Sequence, residues 1–228
     1  MRAPARLPLR GLLGAAALIV ALAVGLPYIY INFVEGKAPA ALAVSTSTAV
    51  RPANGNLTGD WEASAGSTAG YRVREVLNGQ STTAVGRTTA VTGAITATST
   101  QVTKAKVTVD LTKVASDQTS RDAQFQDRIM QTSQYPTATF TLTDPIDLGK
   151  LATAAGKRTV NARGTLALHG TSKNVTVQLT VVRSGATLTV SGQVPVVFAD
   201  YGIDNPSFGF VRTEDAGTIE ILVHLTKA

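Results

Sequence analysis

Asn174-Val175-Thr176-Val177-Gln178-Leu179-Thr180-Val181 is the stretch that decides the fold. Apolar and polar residues alternate with a period of two. Val175, Val177, Leu179 and Val181 therefore share one face of a strand, and the polar residues share the other. The same alternation returns on both sides. Upstream, Leu166 and Leu168 flank Ala167 after Gly164, Phe140 and Leu142 alternate with Thr139 and Thr141, and Val107, Val109 and Leu111 alternate with Lys106, Thr108 and Asp110. Downstream, Ile219, Ile221, Val223 and Leu225 lie opposite Glu220 and His224. Near the start, Tyr71, Val73 and Glu75 form one register and Arg72, Arg74 and Val76 the other, and neither identifies itself as the inner face.

Turn signals separate these runs: Asn78-Gly79, Asp144-Pro145, Gly156-Lys157, His169-Gly170 and Ser184-Gly185. About eight closely spaced strands imply an all-β sandwich or barrel. One segment breaks the pattern. Between Thr119 and Thr132, Phe125, Ile129 and Met130 recur at helical spacing, with Thr119 or Ser120 placed to cap a short helix.

The first 35 residues read differently. Gly11 to Val34 is almost wholly apolar and uncharged, long enough to cross a bilayer, which needs about 20 residues. Arg2, Arg6 and Arg10 precede it and direct that end to the cytoplasm, while Tyr28, Tyr30 and Phe33 suit the opposite interface. The rest of the chain is then extracytoplasmic, anchored by one transmembrane helix. Cleavage at Ala38-Pro39-Ala40 or Ala41-Leu42-Ala43 is the rival reading and gives a secreted domain. Residues 36–58, rich in Ala, Ser, Thr, Pro and Asn without periodicity, read as a flexible linker, and 59–228 as the folded domain.

Composition narrows the function. The 228 residues contain no Cys, which excludes disulfides, thiolate metal sites and Cys-based catalysis. The net charge of +6 is scattered, with no basic run interleaved with aromatics, so nucleic acid is not an expected partner. There are two histidines, His169 and His224, no G-x-S-x-G, no H-E-x-x-H and no glycine-rich phosphate loop. His169 before Gly170 reads as a turn residue making a side-chain-to-backbone hydrogen bond, and His224 as a surface residue. No positive sign of catalysis, metal or cofactor emerges.

Four motifs in order carry a resemblance. Ser116-Asp117-Gln118-Thr119-Ser120-Arg121-Asp122 opens the short helix, and Tyr135-Pro136-Thr137-Ala138-Thr139-Phe140 enters a strand. A G-x-L-x-L-H-G hairpin runs from Gly164 to Val175, and Asp200-Tyr201-Gly202-Ile203-Asp204-Asn205-Pro206 lies near the end. Together with Trp61 on the first strand, these resemble the YceI-like family. The resemblance implies an eight-stranded antiparallel lipocalin-like barrel around an apolar pore, no enzymatic activity, and a polyisoprenoid lipid as ligand. The sequence departs from the family in one place: Ala65 to Val76 lacks the histidines of the family's early strand.

The expected function is binding, storage or transport of a long apolar lipid, of isoprenoid quinone or polyprenyl type. Phe140, Leu168, Val177, Leu179, Phe198 and Ile221 are the expected pore wall. Arg121, Phe125 and Ile129 represent the helix, with Arg121 meeting a headgroup or else pairing with a neighbouring strand. Tyr135, which with Pro136 shapes the helix-to-strand turn, and His169 are further ligand-binding candidates, and Tyr201, Phe208 and Phe210 lie on a loop suited to act as a lid at one pore end. Expected partners are the lipid and, through the N-terminal helix, the membrane, and a homodimer stays open. Two rival readings are a surface-displayed β module that binds a protein or cell-wall polymer, and a hydrolase dependent on His169. A filled core and a hollow pore produce the same alternation.

Overall fold

The computed structural model describes residues 38–45, 50–53, 55–77, 79–209 and 211–228. The apolar segment 11–34 and the membrane helix expected there lie outside these residues. Among the described residues no helix is long and apolar enough to cross a membrane.

Among the described residues twelve strand segments follow one another: β1 (Gly59–Ala63), β2 (Thr68–Leu77), β3 (Gln80–Thr88), β4 (Val91–Ala97), β5 (Gln101–Asp110), β6 (Thr137–Leu142), β7 (Ile146–Asp147), β8 (Gly156–Leu168), β9 (Thr171–Ser184), β10 (Thr187–Val197), β11 (Val211–Thr213) and β12 (Ala216–Lys227). Every pairing is antiparallel. The ring runs β1-β4-β5-β6-β8-β9-β10-β12 and closes where β12 pairs with β1, an eight-stranded barrel. β2 and β3 continue β1 and β4 upward as a two-stranded ribbon, with β2 also paired to β12. Closure removes the exposed edges of an open sheet and leaves one face of every strand pointing inward.

The inward register is the apolar one. On β9 it comprises Val175, Val177, Leu179 and Val181, and on β12 Ile219, Ile221, Val223 and Leu225, all of which pack in the interior clusters. On β2 the inner face is Tyr71, Val73 and Glu75. Glycines in this register make room for rings: a Cβ on Gly86 would collide with the Tyr71 ring, and one on Gly164 with that of Phe140. The β8–β9 turn is His169-Gly170, with φ of 49° and 74°, the two positive values that a two-residue primed turn requires.

The helix is present but is built differently from the sequence expectation. α1 (Thr119–Gln124) runs into a π-helical turn over Phe125–Ile129, closed by Met130 N–H donating to the Phe125 carbonyl at 2.8 Å. Neither Thr119 nor Ser120 caps it. Gln118 holds the N-cap position without a side-chain bond. Asp122 reaches back instead, accepting from Ser116 N–H at 2.7 Å and Ser116 Oγ at 2.6 Å. That carboxylate ties the first turn to the loop before it and complements the helix dipole.

The lower end is plugged. Leu57, Trp61, Leu148, Leu151 and Ala152 are buried there, and the Trp61 indole donates to the Leu57 carbonyl at 2.9 Å. Arg183 continues the inward register of β9 and is fully buried. Its guanidinium donates to the carbonyls of Leu151 at 3.0 Å, Ala152 at 2.7 Å and Gly55 at 2.5 Å.

Described residues of the segment 36–58 pack against the barrel. Leu57 is fully buried in the core, and Arg51 bonds Ser184 and Gly185. Residues 38–45 lie against the outer wall of the barrel. Leu42 N–H donates to Glu220 at 3.1 Å, Val44 N–H to Ser191 Oγ at 3.2 Å, and Arg72 to the Pro39 carbonyl at 2.5 Å, while Arg87 donates to the Ala40 carbonyl. These are backbone bonds, so they leave no periodicity in the sequence.

Candidate functional site

Two chambers lie in the pore. The upper one, of about 290 Å³, opens at the end where the helix sits. The lower one, of about 120 Å³, has a wholly apolar lining that includes Ile95, Phe140, Val177, Leu179, Val190 and Ile221. Val109, Ala138 and Ile219 line both, so the chambers meet at that seam. The interior is thus hollow, and the alternation belongs to a barrel with internal cavities.

The roof of the upper chamber is the helix. Phe125, Ile129 and Met130 point down into it, because the π-helical turn brings residues five apart onto one side. Phe125 stacks on Tyr71 across the cavity, with ring centroids 5.0 Å apart and planes 12° from parallel. Burial raises the Tyr71 phenol above its ordinary value, and Arg121 opposes that rise. Its hydroxyl therefore stays neutral at physiological pH.

Among the described residues two charged ones line the upper chamber, Glu75 and Arg121. They face one another at 3.5 Å, and Arg121 also pairs with Asp117 one turn earlier. Arg121 thus pairs with a neighbouring strand, one of the two roles expected of it, while also lining the chamber. Gln118, Ser120, Gln124 and Thr213 supply uncharged polar groups beside it. Across the mouth lie Pro206, Val211 and Phe208, the last 68% exposed. Arg128 holds this loop from outside, 5.6 Å from the Phe208 ring centroid and donating to the Pro206 carbonyl at 3.0 Å.

The sequence-expected residues divide accordingly. Arg121, Phe125, Ile129, Leu168, Phe198 and Phe208 line the upper chamber. Phe140, Val177, Leu179 and Ile221 line the lower one. Phe210 lies outside the described residues. Tyr135, His169 and Tyr201 line neither chamber. They pack on one another beside the β8–β9 turn: the Tyr135 and His169 rings meet edge-on at 4.7 Å, and His169 Nδ1 donates to the Tyr201 carbonyl at 3.1 Å. The positive φ of His169 directs its ring to that neighbour, which places these three as structural supports of the rim. His224 is half-buried on the outer face, with Nδ1 3.2 Å from Thr189 Oγ1. Sequence reasoning missed Tyr71, Glu75, Met130 and Ile203 as lining residues. The Tyr71-Val73-Glu75 register was the available signal, but it mixes aromatic, apolar and charged residues.

Among the described residues no three His, Asp or Glu side chains stand together to hold a metal ion. What the arrangement can do is remove an apolar chain from water, at about 0.8 kcal/mol per buried methylene.

The fold is an all-β, eight-stranded antiparallel barrel with one short helix and an apolar interior that opens beside that helix. The chain belongs to the YceI-like domain family, whose model matches residues 61–225. Solved structures that resemble it include these two. One is a polyisoprenoid binding domain from Saccharophagus degradans implicated in plant cell wall breakdown, 19% identical, covering 75% of this chain and 99% of that one at a TM-score of 0.61. The other is Burkholderia cenocepacia BcnA, 21% identical, covering 68% of this chain and 95% of that one at a TM-score of 0.52. At these identities the likeness establishes the fold. No similar sequence is found among curated proteins.

Proposed function

We propose that this protein binds a lipid of polyisoprenoid type by its tail, without chemistry, on the extracytoplasmic side of a membrane to which its N-terminal apolar segment anchors it. The observation that carries the reading is the wholly apolar lower chamber beneath an upper chamber whose lining includes polar groups. A tail lying in both chambers leaves its headgroup among Gln118, Ser120, Arg121 and Gln124. The polyisoprenoid-binding neighbour supports the tail's chemistry. Transfer of a dozen carbons from water contributes roughly 10 kcal/mol gross, of which ordering and immobilisation offset several. No sharp motif is needed for such burial.

The volumes refine the reading. Chambers of about 290 and 120 Å³ are not a wide tunnel, so a long tail must part the seam at Val109, Ala138 and Ile219 to reach the base. Organic extraction of the purified full chain followed by mass spectrometry tests the proposal. A co-purifying prenyl lipid is the expected result. A lipid-free protein that also fails to take up added prenols or quinones refutes it.

A further inference from the structure

We infer that the mouth selects an uncharged headgroup and rejects an anionic one; the inference rests on the lipid-binding reading above and concerns which member of that ligand class fits. A phosphate or carboxylate headgroup needs a cation with unsatisfied charge. Among the described residues Arg121 is the one cation lining the chamber, and its charge is already met by Glu75 at 3.5 Å and by Asp117. The three together carry a net charge of −1 (one Arg against Glu75 and Asp117).

The other bases at this end are turned away or committed. Val73, Glu75, Val211 and Thr213 line the chamber, so the alternation of β2 and β11 directs Arg74 and Arg212 outward. Lys113 belongs to a separate surface hollow with Thr68, Arg87 and Thr88. Arg128 is occupied by Phe208 and the Pro206 carbonyl. Lys173 pairs with Asp200 at 3.7 Å. The segments that build this end, 74–77, 110–130 and 198–215, hold nine Asp and Glu against five Lys and Arg, although the whole chain carries +6. An incoming anion meets a net negative field there, in a partly desolvated mouth that screens it poorly. A hydroxyl or carbonyl headgroup meets only hydrogen-bonding groups: Gln118, Ser120 and Gln124.

Geranylgeraniol and geranylgeranyl monophosphate share one tail and differ in headgroup charge. Each is titrated against the full chain in zwitterionic-lipid nanodiscs, in competition with tritiated geranylgeraniol. The alcohol is expected to bind roughly tenfold or more tightly at low salt, with the gap narrowing as salt rises. Loosening Arg121 by Asp117→Asn, outside the chamber lining, is expected to narrow the gap while the alcohol's affinity holds, which also shows that this variant has folded; Glu75→Gln with Asp117→Asn, its fold checked by far-UV circular dichroism, is expected to narrow the gap further or reverse it. Monophosphate binding equal to or tighter than the alcohol in the unaltered chain overturns the selectivity and leaves lipid binding standing. A gap that persists unchanged in both variants overturns its assignment to this mouth. Binding of neither compound overturns the lipid reading itself, and this inference with it.

Discussion

Arg87 and Glu220 meet on the outer wall of the barrel at 2.7 Å, and Glu220 is fully buried although it points away from the pore. The cover is the chain itself. Residues 38–45 lie over the pair, with Leu42 N–H bonded to the same carboxylate and the carbonyls of Pro39 and Ala40 bonded to Arg72 and Arg87. Arg72 adds a second cation 3.6 Å from Glu220. One carboxylate thus joins β2, β3, β12 and the segment that leads in from the N-terminal region.

Glu220→Gln removes the charge that holds two arginines under this strap. It is expected to lower stability by about 2 kcal/mol, less than a fully buried pair would cost because both arginines remain partly exposed. The amides of Leu42 and Val44 should exchange faster with deuterium. Urea unfolding and hydrogen exchange measure the two effects, and unchanged protection of those amides would contradict the role given to Glu220.

Arg183 closes the base by satisfying three carbonyls from two segments. Arg183→Met keeps most of the stem's packing but leaves those carbonyls without their donor. A loss of about 3 kcal/mol is expected. A loss below the error of the urea midpoint would mean that water replaces the guanidinium.

Tyr71 makes stability sensitive to alkali. Its phenol is raised above the ordinary 10.0, chiefly by burial, so the folded protein resists an ionisation that the unfolded chain undergoes freely. The stabilisation is complete below pH 10 and is lost as pH rises from there through the folded value. Tyr71→Phe should flatten this alkaline decline while keeping the stack on Phe125. Parallel urea titrations of both proteins between pH 8 and 11 test it, and equal slopes would show that Tyr71 does not set the decline.

Ile219 stands at the seam between the chambers. Ile219→Phe enlarges the side chain there and should block deep entry of a tail. A forty-carbon prenol is expected to lose about tenfold or more in affinity, a step of about 1.4 kcal/mol, while a fifteen-carbon one changes little. An equal effect on both lengths would place the tail elsewhere.

Much of the barrel was legible in advance because its strands each bury one face, and burial of one face writes a period of two. β9 and β12 announce themselves this way. β2 does not, because Glu75 is drawn inward by Arg121 from a helix some forty-five residues later, and local alternation carries no trace of that partner. Arg183 was within reach: it extends the register of Val175 to Val181, and a charge in an apolar register marks a plug or a site. The rim residues Tyr135, His169 and Tyr201 have the composition of a binding site, yet the turn at His169 folds them onto one another.

Alternation, turn residues and four ordered motifs by themselves determined a closed β architecture, a short helix and the family. They determined which side chains face inward wherever the register is purely apolar. Only the tertiary structure decided that the interior is hollow, since packed and empty barrels bury the same face. It also decided that residues 38–45 grip the wall, because backbone-to-side-chain bonds impose no residue pattern. And it decided the charge at the mouth, where Arg121, Glu75 and Asp117 become neighbours only once helix and ribbon meet.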